Sequence, residues 1–193
     1  AVDFESLAAI QGASDLYHNY YSKQLNALVE SDTGVYSAGI IAFVQAIHLK
    51  HLEKLAPIFE VTGISNSDFI SDLKLLHKAE IVDLCNDEAA RISDQSFSNF
   101  LIKYVFIEEK IIPLSTMIET CFQINKSRTI EACRILLNVF SDQNVREYVE
   151  AQINLVWDKL ESNSEAFLPF FKAFHMVRPT QTLLLLQEYI EQE

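Results

Sequence analysis

Apolar residues return at helical spacing along most of the chain. From Leu16 to Leu28 the positions Tyr17, Tyr20, Tyr21, Leu25 and Leu28 share one face, and Ser31-Asp32-Thr33-Gly34 ends the segment. Tyr36 to Leu49 repeats the pattern through Ile40, Ile41, Val44 and Ile47. A further short helix is expected from His51 to Val61, stopping at Thr62-Gly63. Ser65-Asn66-Ser67-Asp68 places a hydroxyl at an N-cap and a carboxylate three residues on, the pattern that satisfies free amides. It opens a third helix carrying Phe69, Ile70, Leu73 and Leu76.

The period then changes. Ile81, Leu84 and Ile92 flank the polar turn Cys85-Asn86-Asp87-Glu88, which predicts a β-hairpin from Glu80 to Ser93. Asp94 is expected to cap the next helix, where Phe97, Phe100, Leu101, Tyr104 and Val105 form the cleanest amphipathic stripe in the chain. Three helices, a hairpin and a closing helix follow the order of a winged helix. Beyond it, Pro113 starts a short helix, Ile130, Cys133, Leu137 and Phe140 mark the next, and Val145, Val149, Ile153, Val156 and Leu160 mark a third. Phe167, Phe170, Phe171 and Phe174 precede a break at Arg178-Pro179, after which Leu183, Leu186 and Ile190 resume the period. The expected fold class is mainly α. It has N-terminal helices over 1–33, a winged helix with one small β-hairpin over 34–110, and a C-terminal helical domain with repeat-like helix pairs over 111–193.

Composition narrows the function. A net charge of −12 over 193 residues opposes binding to phosphate backbones and anionic lipid, so nucleic acid is disfavoured as a partner. Apolar runs are interrupted by charge well short of the ~20 residues that span a bilayer, so no membrane is expected. Cys85, Cys121 and Cys133 form no paired motif and read as small buried hydrophobes in a reducing compartment, which makes the cytoplasm the expected location. The start at Ala1 without methionine, and the end at Glu193 after an apolar helix, suggest a piece of something longer.

Catalytic and ligand signatures are missing from the sequence. The four glycines build no phosphate-cradling loop, and His48 and His51 have no third metal ligand at a recognised spacing. Cys133 lies on an apolar stripe, and Glu108-Glu109 and the Glu191 to Glu193 end read as solvated helix ends. The four phenylalanines from Phe167 to Phe174, and Trp157, read as core. On the third helix Asp68 and Asp72 cancel Lys74 and Lys78. In the hairpin region Arg91 stands alone against Glu80, Asp83, Asp87, Glu88 and Asp94, so the wing is expected to contact protein rather than DNA.

The run from Leu73 to Leu84, followed by Ala90 to Leu101, resembles the winged helix that follows the ATPase core in STAND-type P-loop NTPases. These are AAA+-related signalling switches that include bacterial defence ATPases and plant immune receptors. The resemblance covers residues 10 to 110, and it implies that Leu7 to Val29 form a helical lid. It also implies that the chain is a non-catalytic regulatory region that docks on the nucleotide-binding domain of the same protein and on other protein surfaces. ATP or ADP would bind in the parent protein, with no cofactor in this chain. The family's Met-His-Asp motif corresponds to Ile92-Ser93-Asp94, which makes Ser93 and Asp94 a candidate nucleotide-sensor junction. Asp94 matches, while Ser93 stands where the family has histidine and offers one shorter, uncharged donor. The alternative from the residues themselves is a free-standing winged-helix DNA-binding transcription regulator.

Overall fold

The computed structural model describes residues 20–28, 31–86, 88–140, 142–161 and 164–191. It separates into two compact units, Ala1–Ile112 and Pro113–Glu193. Most of the expected lid, residues 1–19, lies outside the described residues.

In the first unit, helix α1 (Ser22–Leu28) leads through a turn to α2 (Gly34–Val44). The turn needs glycine: a Cβ at Gly34 would stand 2.5 Å from the carbonyl oxygen of Leu28. Helix α2 is buried nearly all round, which suits a central helix rather than an amphipathic one. At Gly39 its backbone comes so close to the closing helix that a Cβ would meet a Val105 methyl at 2.7 Å.

The helix expected to run on to Leu49 stops at Val44. Gln45 turns to φ 70°, and Ala46–His48 form strand β1, with Ile47 facing the core between two exposed neighbours. An apolar residue at Ile47 satisfies a helical and an extended pattern equally, so periodicity did not resolve it. The helix expected from His51 is a 3-10 stretch, Leu49–Leu55, followed by α3 (Ala56–Thr62), which ends on the left-handed Gly63. Helix α4 (Asn66–Lys78) is capped as expected: Ser65 Oγ accepts the Asp68 amide at 3.1 Å and donates to its carboxylate at 2.6 Å.

Strands β2 (Val82–Cys85) and β3 (Ala89–Ile92) make the expected hairpin. The sheet has three strands, however, in the order β1-β3-β2 and all antiparallel, with Ile47 opposite Ala90 and Leu84 opposite Ala90 on the other side. The third strand pins the hairpin to the end of α2. Helix α5 (Gln95–Lys103) follows and buries Phe97, Phe100 and Leu101 against α2. It widens into one π-helical turn, Tyr104–Glu108, where the Glu109 amide reaches the Tyr104 carbonyl at 2.9 Å.

The described residues of the second unit form helices and no strand: α6 (Leu114–Ile124), α7 (Lys126–Asn138), α8 (Gln143–Leu160), α9 (Ser164–Phe174), a 3-10 turn (His175–Val177) and α10 (Pro179–Glu191). Asn125 caps α7 by accepting the Arg128 amide, and Asp142 caps α8 by accepting the Val145 amide. Helix α8 packs on α6, α7 and α9. Its buried stripe Val145, Val149, Ile153, Val156 and Trp157 is the spine of this core.

Candidate functional site

The Ser93-Asp94 junction lies where β3 leaves the sheet and α5 begins. The Ser93 amide donates to the Ile81 carbonyl at 2.9 Å, closing the base of the hairpin. Asp94 Oδ1 accepts the Phe97 amide at 2.6 Å and the Tyr21 hydroxyl at 3.1 Å. The carboxylate is therefore an N-cap with a second donor from 73 residues upstream. The Tyr21 ring is buried and packs on Phe97 and Phe100 at centroid distances of 4.7 and 5.7 Å. Both Ser93 and Asp94 are exposed.

A second tie joins the N-terminal turn to α4. Asp72 is 2% exposed and accepts hydroxyls from Ser31 at 2.5 Å and Ser37 at 2.6 Å, one on each carboxylate oxygen. A buried carboxylate is tolerated only with such partners, and hydroxyl bonds to an ionised acceptor are among the stronger ones. The expectation that Asp72 offsets a lysine on the surface of α4 is thus corrected: its charge is internal, and Asp68 opposes Lys74 and Lys78 on the exposed side. The sequence carried a signal for this, because Asp72 falls on the same helical face as Phe69, Leu73 and Leu76.

The acids of the sheet are partly neutralised within the unit. Lys50 pairs with Glu88 at 2.5 Å across the β1 end, and Arg91 pairs with Asp83 at 3.1 Å on neighbouring strands. Lys103, only 8% exposed in its side chain, pairs with Glu108 at 2.8 Å inside the π turn. Glu108 is therefore one half of a largely buried ion pair rather than a solvated helix end.

His48 is exposed and caps the 3-10 stretch by accepting the Lys50 amide at 3.3 Å, and His51 stands exposed beside Glu53 at 3.4 Å. No three histidine, cysteine or acidic side chains gather into a metal-binding group among the described residues. Cys121 and Cys133 are buried, and burial pushes both thiols up to about 12, so neither ionises as a nucleophile near neutrality. Cys85 corrects the expectation of three buried thiols: it ends β2 on the exposed side of the sheet.

In the second unit Trp157 is fully buried, with Phe167 and Phe171 edge-on or tilted at 5.3 and 5.5 Å. Phe170 and Phe174 are buried beside Phe122. Trp157, Phe122, Phe170 and Phe174 are core, while Phe167 and Phe171 are half-buried. Arg178 lies 5.7 Å over the Trp157 ring and bonds Asn154 at 2.7 Å and Asp158 at 2.5 Å, which holds the turn before α10 onto α8. That hydrogen bond draws the Asp158 carboxyl below its usual range.

Missed by sequence reasoning is an open groove of about 440 Å³ between α7 and the α9 end. Its floor is Ile130, Cys133, Leu137 and Phe174, and its rim carries Lys126, Arg134 and Lys172. No helix among the described residues is long and apolar enough to cross a membrane. No protein-family model, curated protein or solved structure matches this chain.

Proposed function

We propose that the chain is the non-catalytic regulatory region of a STAND-like signalling NTPase. Its winged helix docks on the nucleotide-binding domain of the same protein and relays that domain's state to the C-terminal helices by rigid-body movement. The observation that carries this reading is the double tie between the N-terminal segment and the winged helix. Tyr21 holds Asp94 at the start of α5, and Ser31 holds Asp72 inside α4, whose other carboxylate oxygen accepts Ser37 of α2. Any displacement of the segment before α2 is thereby delivered to the helix of the hairpin junction and to the third helix together. The internal pairing of Lys50 with Glu88 and Arg91 with Asp83 supports a protein-facing sheet, because paired cations release fewer counterions to a phosphate backbone. In this reading the Asp94 carboxylate positions the junction, and the exposed Ser93 hydroxyl is the group nearest to an ADP or ATP held by the parent. The cytoplasm is the location such a switch requires.

The experiment is to express the chain together with the segment its gene encodes upstream of Ala1 and to measure retained ADP. A Gly-x-x-x-x-Gly-Lys-Ser/Thr loop upstream, with ADP retention weakened by Tyr21→Phe, is the expected result. An upstream region without that loop removes the reading.

One observation favours a free-standing DNA-binding regulator. With Asp72 turned inward, the exposed side of α4 presents Ser67, Ser71, Lys74 and Lys78 against Asp68. That reading requires a duplex-DNA affinity that falls steeply with salt. A flat electrophoretic titration at low salt eliminates it.

A further inference from the structure

The groove between α7 and the end of α9 combines two properties that rarely coincide on so acidic a chain. Its floor is apolar, and its rim holds three cations, Lys126, Arg134 and Lys172, with no acidic residue among its lining. Elsewhere Lys50, Arg91, Lys103, Arg146, Lys159 and Arg178 each stand within ion-pair distance of a carboxylate. None of the three rim cations has such a partner among the described residues; Lys126 instead lies 5.6 Å over the Phe122 ring. Unpaired cations flanking an apolar floor are the complement of an amphipathic segment that carries carboxylates.

The same unit carries a segment of that kind. Helix α10 packs through Thr182, whose hydroxyl donates to the His175 carbonyl at 2.9 Å, and leaves Leu183, Leu184, Leu186 and Ile190 exposed, Ile190 by 72%. By sequence, residues 187–193 hold three glutamates and no cation. Only the 3-10 turn separates α10 from α9, and that turn itself lines the groove with His175, Met176 and Val177. Groove and helix therefore form one continuous surface that is complementary to itself, the condition for an isologous contact between two copies. A chain of net charge −12 repels its copy, so a stable contact has to bring cations of one copy to acidic segments of the other, and residues 187–193 are such a segment by sequence.

We propose that two copies of the chain associate reciprocally, with α10 of each lying in the Lys126–Arg134–Lys172 groove of the other. A nucleic acid is a poorer occupant, since it has no apolar side chains for the floor.

The test is sedimentation velocity of the full 193-residue chain across a micromolar concentration series. The expected result is a monomer–dimer equilibrium that the exposed rim reversals Lys126→Glu, Arg134→Glu and Lys172→Glu weaken, each by about tenfold, with unchanged circular dichroism. A second, charge-swapped variant, Glu188→Lys with Glu191→Lys, should also lose self-association and should pair with the triple reversal when the two are mixed. A monomer at every concentration overturns the proposal. So does a dimer indifferent to the rim reversals, or a mixture of the two variants that does not associate.

Discussion

The two units solve the problem of holding helices together with different chemistry. In the first, side chains far apart in sequence are joined by directional bonds that are buried or partly buried: Tyr21 to Asp94, and Ser31 and Ser37 to Asp72. In the second, the centre is a stack of aromatic rings around Trp157 and Phe122, and the polar ties such as Lys159 to Glu119 and Arg178 to Asp158 lie toward the surface. Directional bonds fix one arrangement, because a shift of an ångström leaves buried donors unpaired. Ring packing tolerates more, and it does not need to cover every apolar residue. The second unit indeed leaves Leu155, Leu168, Met176 and four apolar residues of α10 exposed, whereas the first exposes Tyr20, Val61, Ile70 and Leu75.

The comparison breaks most readily at Trp157. Trp157→Ala removes the ring at the centre of the second unit and should cost about 3–5 kcal/mol, read as an earlier urea transition by circular dichroism. A loss under 1 kcal/mol, on the order of a surface substitution, would mean that the aromatic stack is not the organising core. The buried indole Nε1 has no hydrogen-bond partner among the described residues, so part of that cost is offset by removing an unsatisfied donor.

Asp72 tests the first unit in the same way. Asp72→Ala strips the buried Ser37 hydroxyl and the half-buried Ser31 hydroxyl of their acceptor and should destabilise by about 2–3 kcal/mol, with Asp72→Asn recovering part of it because an amide oxygen still accepts one bond. Equal stability of the Ala variant and the parent in urea would show that the tie is ornamental and would weaken the relay.

The mildest probe alters no residue. Cys85 lies in the first unit and is exposed, while Cys121 and Cys133 lie buried in the second with their thiols pushed up to about 12. A disulfide reagent near pH 8 should therefore modify one thiol promptly and the other two only at the rate at which the second unit opens. Three thiols reacting in one phase would contradict the buried core. Trp157, the only tryptophan, gives a fluorescence signal from that unit to follow the same opening.

Along the chain, legibility followed the reach of the interactions. The cap at Ser65, the cap at Asp94, the hairpin around Asn86, the stripe of α5 and the break at Arg178-Pro179 rest on neighbours within a few residues, and each stands where the pattern places it. Helix α2 was read too long because Ile47 suits either period, and the sheet pairing that makes Ala46–His48 a strand comes from Ala89–Arg91, more than forty residues away. The Ser93-Asp94 pair was found as a junction, yet its second partner, Tyr21, was not visible, since nothing local links residues 73 apart.

The order of helices, the turn between the wing strands and the mainly α class were set by the amino-acid sequence itself, because capping, turn chemistry and hydrophobic period act over one or two turns of backbone. The third strand, the inward turn of Asp72, the exposed thiol of Cys85 and the basic-rimmed groove were decided only in three dimensions. Burial and partner choice depend on which distant segment arrives at a surface, and a carboxylate or a lysine has the same spelling whether it meets a hydroxyl, a carboxylate or water.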